Sequence, residues 1–152
     1  MLNKTKFISL IKSAPLCAID ILIKSNNKYL LCLRDNKPAK NYYFVPGGRI
    51  FKNEKYKNAI KRILKNELNL NIKDLKFKII GIYDHIYKDN FYNIKDLTTH
   101  YFVLALMINF NKEVEIKLDK QHLNFRFMTR SQILNNKKVH KYSKLYLKEI
   151  AS

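Results

Sequence analysis

Glycine and proline are both scarce in this chain, with three of each in 152 residues. No stretch is rich enough in Gly, Ser or Pro to serve as a linker, and no segment repeats. Residues 1–152 therefore read as one domain, long enough to bury a real core. Cysteine is limited to Cys17 and Cys32, both among apolar residues in expected strands. They read as core filler rather than a disulfide or a metal pair, and no third Cys or suitably spaced His completes a zinc site. Long apolar runs are missing as well. The Phe7–Ile11 stretch is too short and too interrupted for a signal peptide or a membrane span, so a cytoplasmic protein without membrane contact is expected.

Acids are few, with 12 Asp and Glu against 30 Lys and Arg and a net charge of +18. Such a charge attracts polyanions, including nucleic acid and nucleotide diphosphates. It also arises from nothing more than a solvated, lysine-rich surface, and the scatter of the lysines favours that reading. A nucleic-acid-binding module is further disfavoured by the lack of Gly-rich aromatic signatures. Hydrophobic residues at 47% and charged ones at 28% place the chain among soluble globular proteins.

Patterning predicts an α+β fold with a mixed sheet and one helix buried against it. Lys4 to Lys12 reads as a short amphipathic helix ended by Pro15. Leu16–Ile23 and Tyr29–Leu33 are apolar runs joined by Ser25-Asn26-Asn27, a hairpin signal. Asp35–Asn41 is a polar loop, and Tyr42–Val45 a short strand. Glu54–Leu68 has helical periodicity through Ala59, Ile60, Ile63, Leu64 and Leu68. Phe77–Tyr87 and Thr98–Ile108 are β-rich, bridged by Lys88–Leu97, a polar segment without glycine that is a candidate lid or binding loop. Val114–Leu118 and Asn124–Met128 are further strands, and Thr129–Leu134 and Val139–Ile150 read as helices.

Two of the three glycines stand side by side in Val45-Pro46-Gly47-Gly48-Arg49. Paired glycines let the backbone turn sharply and approach a ligand without Cβ interference. A helix beginning just after such a turn offers free N–H groups and a positive dipole end to phosphate. Glu67 follows Ile60 by seven residues and Ile63 by four, on their apolar stripe. An acid there needs an arginine or a bound cation.

Five residues lie between Gly48 and Glu54, seven more before Arg62, and five steps further comes Glu67. This spacing resembles the Nudix box. Gly48, Glu54, Arg62, Leu64, Glu67 and Leu70 match it, while Ile63 and Asn66 stand where the pattern has glutamates and Asn69 where it has glycine. Further segments resemble the GDP-mannose mannosyl hydrolase branch of that superfamily: Ser13-Ala14-Pro15-Leu16 with Asp20, Asn36-Lys37-Pro38-Ala39, Tyr43 to Arg49, Asp89-Asn90-Phe91, Thr98-Thr99-His100-Tyr101 and Asp119-Lys120-Gln121-His122. The likeness runs from about Ser13 to beyond His140, with the loop between His85 and Thr98 about one residue longer than expected.

The resemblance implies a Nudix-type α/β/α sandwich and a hydrolase acting on a GDP-sugar at the sugar carbon with inversion, releasing GDP. It also implies a homodimer. Such chemistry needs a neutralised diphosphate, an activated water and tolerance of cationic character at carbon. For a single Mg²⁺ or Mn²⁺ the resemblance implies the Gly47 carbonyl, the Glu67 carboxylate and the Gln121 side-chain oxygen, an all-oxygen set suited to either ion. Arg34, Arg49 and Arg62 are the candidates for the departing charge; Arg62 could instead pair only with Glu54. Tyr101 adds a hydroxyl donor. His122 is the candidate base, with an ordinary pKa suited to taking a proton from water. Asp20 and His85 match positions near the sugar, where they would bind hydroxyls or orient the base. The nearest rival is an ordinary pyrophosphohydrolase cutting at phosphorus; another is an inactive scaffold.

Overall fold

The computed structural model describes residues 2–110, Ile116 and 122–150, with backbone alone for His122 and Leu123. The elements run α1 (Lys4–Ser13), β1 (Leu16–Ser25), β2 (Lys28–Arg34), β3 (Tyr43–Phe44), β4 (Gly47–Arg49), α2 (Tyr56–Leu68), β5 (Lys78–Tyr87), β6 (Thr99–Phe110), β7 (His122–Thr129), α3 (Arg130–Asn135) and α4 (Lys141–Glu149). Asn26 and Asn27, both at positive φ, close the β1–β2 hairpin as a two-residue left-handed turn.

All the strands join one mixed sheet. β1 runs parallel to β6 from Leu16 opposite Tyr101 to Ser25 opposite Phe110, and β5 is antiparallel on the far side of β6. On its other edge β1 meets β2 only at Lys24 and Ser25. Nearer its start, β4 lies there instead, opposite Ala18, Ile19 and Asp20. The sheet therefore splits, and the segment carrying Gly47 and Gly48 fills the split.

Strand alternation sends Ile19, Ile21 and Ile23 to one face, where Ala59, Ile60, Ile63, Leu64 and Leu68 of α2 cover them. On the opposite face Leu22, Leu31, Val45 and Ala105 pack against Ile133 of α3 and Tyr146 and Leu147 of α4. A third cluster seats Phe7 and Ile11 of α1 on Leu16, Tyr92, Leu97 and Tyr101. Helices on both faces of a mixed sheet make the expected α/β/α sandwich.

Several local expectations need correction. The glycine pair is not a sharp turn: no glycine has positive φ, and Gly47 and Gly48 lie in β4. Asparagine supplies most left-handed positions, at Asn26, Asn27, Asn41, Asn53, Asn69 and Asn93, because its short polar side chain tolerates that region. Asn69 shows why: it caps the C-terminus of α2 at φ 54, the conformation for which glycine is the usual choice. The helix also does not begin directly after the glycines but at Tyr56. At the C-terminus, Val139 makes an isolated bridge to Tyr43 and His140 caps α4.

Cys32 is buried as expected, whereas Cys17 is exposed, on β1 opposite exposed Phe102. The Lys88–Leu97 segment is organised by Asn90. Its fully buried amide donates to the carbonyls of Ile94 and Leu97 and accepts from the Ile94 N–H. Apart from Ile116, the expected strand Val114–Leu118 lies outside the described residues. Among the described residues no helix is long and apolar enough to cross a membrane.

Candidate functional site

The two glycines of β4 face opposite ways, and close approach explains both. A Cβ on Gly47 would sit 2.4 Å from Asp20 Oδ1 and 2.6 Å from the Ile19 carbonyl. A Cβ on Gly48 would point to the other face, 3.2 Å from Ile63 Cγ1 and 3.8 Å from Glu67 Oε1. Here the need is for space, not for an unusual φ. The α2 face and the α4 face thus meet at these two residues.

On the α2 face the Gly47 N–H donates to Glu67 Oε2 at 3.2 Å. Arg62 is braced: Nε donates to Glu54 Oε1 at 2.7 Å, and Nη2 donates to Glu54 Oε2 at 2.8 Å and to the Arg49 carbonyl at 2.7 Å. Its guanidinium also lies 4.0 Å from the centre of the Phe51 ring. The hydrogen bonds from Arg62 hold the Glu54 carboxyl below its usual pKa. Pairing with Glu54, one of the two roles open to Arg62, is formed.

Among the described residues the box places one carboxylate, Glu67, beside the Gly47 backbone. Glu67 is beside Gly47, Glu54 is engaged by Arg62, Ile63 is buried in the core, and Asn66 is exposed and has no carboxylate. Among the described residues no three His, Cys, Asp or Glu gather as a metal-holding group. A carboxylate and a backbone carbonyl are oxygen donors of the kind Mg²⁺ or Mn²⁺ takes. Gln121, the third expected ligand, lies outside the described residues.

The α4 face holds Asp20, His85, Tyr101 and Arg34. Asp20 is buried, and its pKa is pushed up to about 7, mainly by burial; the Tyr146 hydrogen bond and the nearby Arg34 charge oppose that rise. Tyr146 donates its hydroxyl to Asp20 Oδ2 at 2.5 Å, and the same hydroxyl lies 3.0 Å from His85 Nε2. His85 stacks on Tyr142 at 3.8 Å with 4° between the rings. Burial, reinforced by the nearby His140, pushes its pKa down to about 3. His85 Nδ1 and Asp20 Oδ2, 3.8 Å apart, are therefore not an ion pair near neutral pH. His140 is lowered to about 4, by burial and then by Lys141 and Arg34.

Arg34 acts electrostatically on Asp20, Tyr87, Tyr101 and His140, which places its charge amid them. Its Nη2 donates to Asn36 Oδ1 at 3.0 Å, but its buried Nε has no hydrogen-bond acceptor among the described residues. A buried donor without an acceptor is costly, and an anionic ligand would relieve it. Arg49 also bears on Tyr101, with its guanidinium 5.1 Å from the Phe7 ring centre. Burial raises the Tyr101 pKa, so this hydroxyl stays a proton donor.

Of the residues expected from sequence, the fold therefore gathers Asp20, Arg34, Arg49, His85 and Tyr101 on one face of β4, with Gly47 and Glu67 at its edge. Arg62 belongs to the other face. The His122 backbone pairs with Arg34 in the β2–β7 ladder, which brings residue 122 to the same end of the sheet. His100 bonds exposed Asp84 instead, at 2.8 Å. Sequence reading missed Tyr87, His140, Tyr142 and Tyr146. The available signal was the alternation Tyr83, His85, Tyr87 on one strand face and the one-turn spacing of Tyr142 and Tyr146.

Comparison with known proteins adds a family-level finding. Residues 15–149 match the model of the NUDIX domain. The low-salt glycan biosynthesis protein Agl8 of Haloferax volcanii is 29% identical over 118 residues, covering 75% of this chain and 70% of that protein. An ADP-ribose pyrophosphatase of Methanocaldococcus jannaschii is 36% identical over 69 residues, 45% of this chain and 40% of that one. Among solved structures, a MutT NUDIX hydrolase from Burkholderia pseudomallei superposes with a TM-score of 0.75 at 16% identity, over 91% of this chain and 99% of the other. At that identity the likeness shows the fold alone.

Proposed function

Because the chain belongs to the NUDIX domain family, we propose that it hydrolyses a nucleoside-diphosphate derivative, in the first instance a GDP-sugar. The observation that carries this reading is the gathering of Arg34, Arg49 and Tyr101 around buried Asp20 beside Gly47, with the Arg34 Nε–H still lacking an acceptor among the described residues. Two guanidinium groups and a phenol suit a diphosphate, and a buried carboxyl beside them suits sugar hydroxyls.

In this reading Arg34 and Arg49 bind the diphosphate and Tyr101 donates to it. Asp20 and His85 hold the sugar. His122 takes the proton from a water whose oxygen bonds to the anomeric carbon. The carbon–oxygen bond to GDP breaks, and its electron pair leaves on the diphosphate. Arg62 supports the site through the Arg49 carbonyl rather than through substrate. Glu67, the Gly47 carbonyl and Gln121 would hold a Mg²⁺ or Mn²⁺ ion, which supplies further neutralisation of the leaving group when bound.

Attack at carbon fits a box that has Ile63 and Asn66 in place of two glutamates, since nothing has to be made nucleophilic at phosphorus. Cleavage at phosphorus is the second reading. The Methanocaldococcus relative, by its name an ADP-ribose pyrophosphatase, favours it; the Haloferax relative's role in glycan biosynthesis fits a nucleotide sugar under either reading. A panel of nucleotide sugars and dinucleoside phosphates, assayed with and without Mg²⁺, tests the proposal. Release of GDP from a GDP-sugar is expected, and a protein inert on the whole panel would contradict it.

The partner proposed is a second copy of this chain. Ile82, Ile86 and Phe102 are exposed on one face of β5 and β6. Neither 79–87 nor 99–110 contains a Lys or Arg, in a chain that carries 30. Two strongly positive copies can meet there without bringing Lys or Arg together, and the exposed Asp84 on the same face is bonded to His100. Sedimentation should show a dimer that Phe102→Lys dissociates.

A further inference from the structure

The helix α4 has no part in the reading above, yet it holds the site strands in three places. Tyr142 puts its hydroxyl on the edge of β5, accepting from the Ile86 N–H at 2.9 Å and donating to the Ile86 carbonyl at 3.0 Å. Ser143, buried, accepts the Val45 N–H at 3.2 Å, two residues before Gly47. Tyr146, fully buried, lies between Asp20 and His85. Its ring is held edge-on by Tyr83, centroids 5.0 Å apart, and Tyr83 in turn bonds Glu149 near the end of the same helix.

A phenol has one proton to give. At 2.5 Å from Asp20 Oδ2, the Tyr146 hydroxyl makes its short bond to the carboxylate, and its proton belongs there. The phenolic oxygen then faces His85 Nε2 at 3.0 Å with lone pairs only, so Nε2 must carry a hydrogen. The imidazole is neutral in its buried place, which leaves Nδ1 bare. Asp20 Oδ2 is occupied by the phenol, while Oδ1 rests against Gly47, where even a methyl group would collide with it.

We propose that Tyr146 is a positioning residue for the reaction: its hydroxyl fixes His85 as the Nε2–H tautomer and pins Asp20 through Oδ2, so that the donor and acceptor pattern of both side chains is set before substrate arrives. This rests on the reading of the site as a nucleotide-sugar hydrolase, but its structural half can be tested without substrate. A carboxyl that rotated, or an imidazole that switched tautomer, would present the wrong donor or acceptor to a hydroxyl. A displacement on that scale costs turnover more than binding.

The test begins with the full chain, uniformly labelled with ¹⁵N, without ligand and at a pH well above the value of about 7 at which Asp20 titrates, so that its carboxylate is the acceptor. The His85 ring signals should show a protonated Nε2 and a bare Nδ1; an Nδ1–H tautomer or an imidazolium would overturn the proposal. In Tyr146→Phe, the tautomer should become mixed or reversed, with kcat down roughly 10- to 50-fold and KM within about threefold. Tyr142→Phe, which loses a hydroxyl bonded only to backbone, should keep the Nε2–H signature. If Tyr146→Phe lowers stability yet leaves both tautomer and kcat as in the parent, Tyr146 is only a core residue and the proposal fails. Should that variant not fold, the tautomer of the parent protein still decides the hydrogen-bond direction. Lack of turnover on every nucleotide sugar, with the tautomer as stated, removes the substrate reading and leaves the hydrogen-bond assignment standing.

Discussion

The two faces of β4 solve the problem of buried polarity in opposite ways. On the α2 face charge is met by charge: Arg62 forks onto Glu54 and the Arg49 carbonyl, partly open to solvent. On the α4 face charge is suppressed. His85 and His140 are driven neutral, the Asp20 carboxyl is raised, and phenols stand around them. The first face is a brace that tolerates water, and the second is a low-dielectric wall in which each remaining charge, Arg34 above all, acts strongly. A diphosphate meeting Arg34 there gains more than it would at the box helix. Under the proposed function this assigns the diphosphate to Arg34 and the brace to Arg62, the arginine of the motif.

The largest effect that would sharpen this contrast comes from the end of the sheet shared with Arg34. His122→Gln should cut turnover roughly 10²–10⁴-fold with metal affinity nearly unchanged, as loss of a general base does. Arg34→Lys and Arg62→Lys make the direct comparison. The first should raise KM for the nucleotide substrate about tenfold or more with little change in melting temperature. The second should lower stability by about 1 kcal/mol and leave KM nearly alone. The reverse pattern would exchange the roles assigned to the two arginines.

The glycines give a smaller, purely steric test. Gly47→Ala forces its Cβ against Asp20 Oδ1 and the Ile19 backbone at 2.4 and 2.6 Å, and should destabilise by about 1–3 kcal/mol with loss of activity. Gly48→Ala meets side-chain atoms only, Ile63 Cγ1 at 3.2 Å and Glu67 Oε1 at 3.8 Å, and should be tolerated far better. Equal effects in thermal unfolding would mean that something other than space selects both residues.

The pH dependence of stability tests the electrostatic half of the contrast. Unfolded histidine titrates near 6.5, while folded His85 resists protonation to about 3 and His140 to about 4. Their contribution is complete above about 6.5 and is lost as pH falls toward those values. Asp20 has the opposite sign: raised from 3.8 to about 7, its contribution is full below 3.8 and lost as pH rises through 7. The Asp20→Asn variant, in which only the histidine limb remains, should therefore hold a constant denaturation midpoint above pH 7 and fall more steeply below 6.5 than the parent. Glu54, depressed below 4.5, contributes only above that range and weakens in stronger acid.

Legibility in the sequence followed the same division. The box helix could be read because its stripe has a fixed period and its ions a fixed spacing; the structure pairs Arg62 with Glu54 and sets Glu67 beside Gly47. Asp20 and His85 were found through resemblance alone, since a single acid in an apolar strand carries no periodic signal. Tyr146 was invisible: its partner Asp20 lies 126 residues away in the chain, and one more aromatic on an amphipathic helix looks like core. The glycine pair was located correctly and half explained: the lack of a Cβ does allow close approach, here of Asp20 and Ile63, but the sharp turn is absent because in this asparagine-rich chain Asn takes the left-handed positions.

Hydrolysis of GDP-mannose in ¹⁸O-water, with products separated by mass, tests the central claim most directly. The account predicts unlabelled GDP and a sugar carrying the label at its anomeric hydroxyl. Label in a phosphate would show that this wall of arginine and neutral aromatics serves cleavage at phosphorus, and would contradict attack at the sugar carbon.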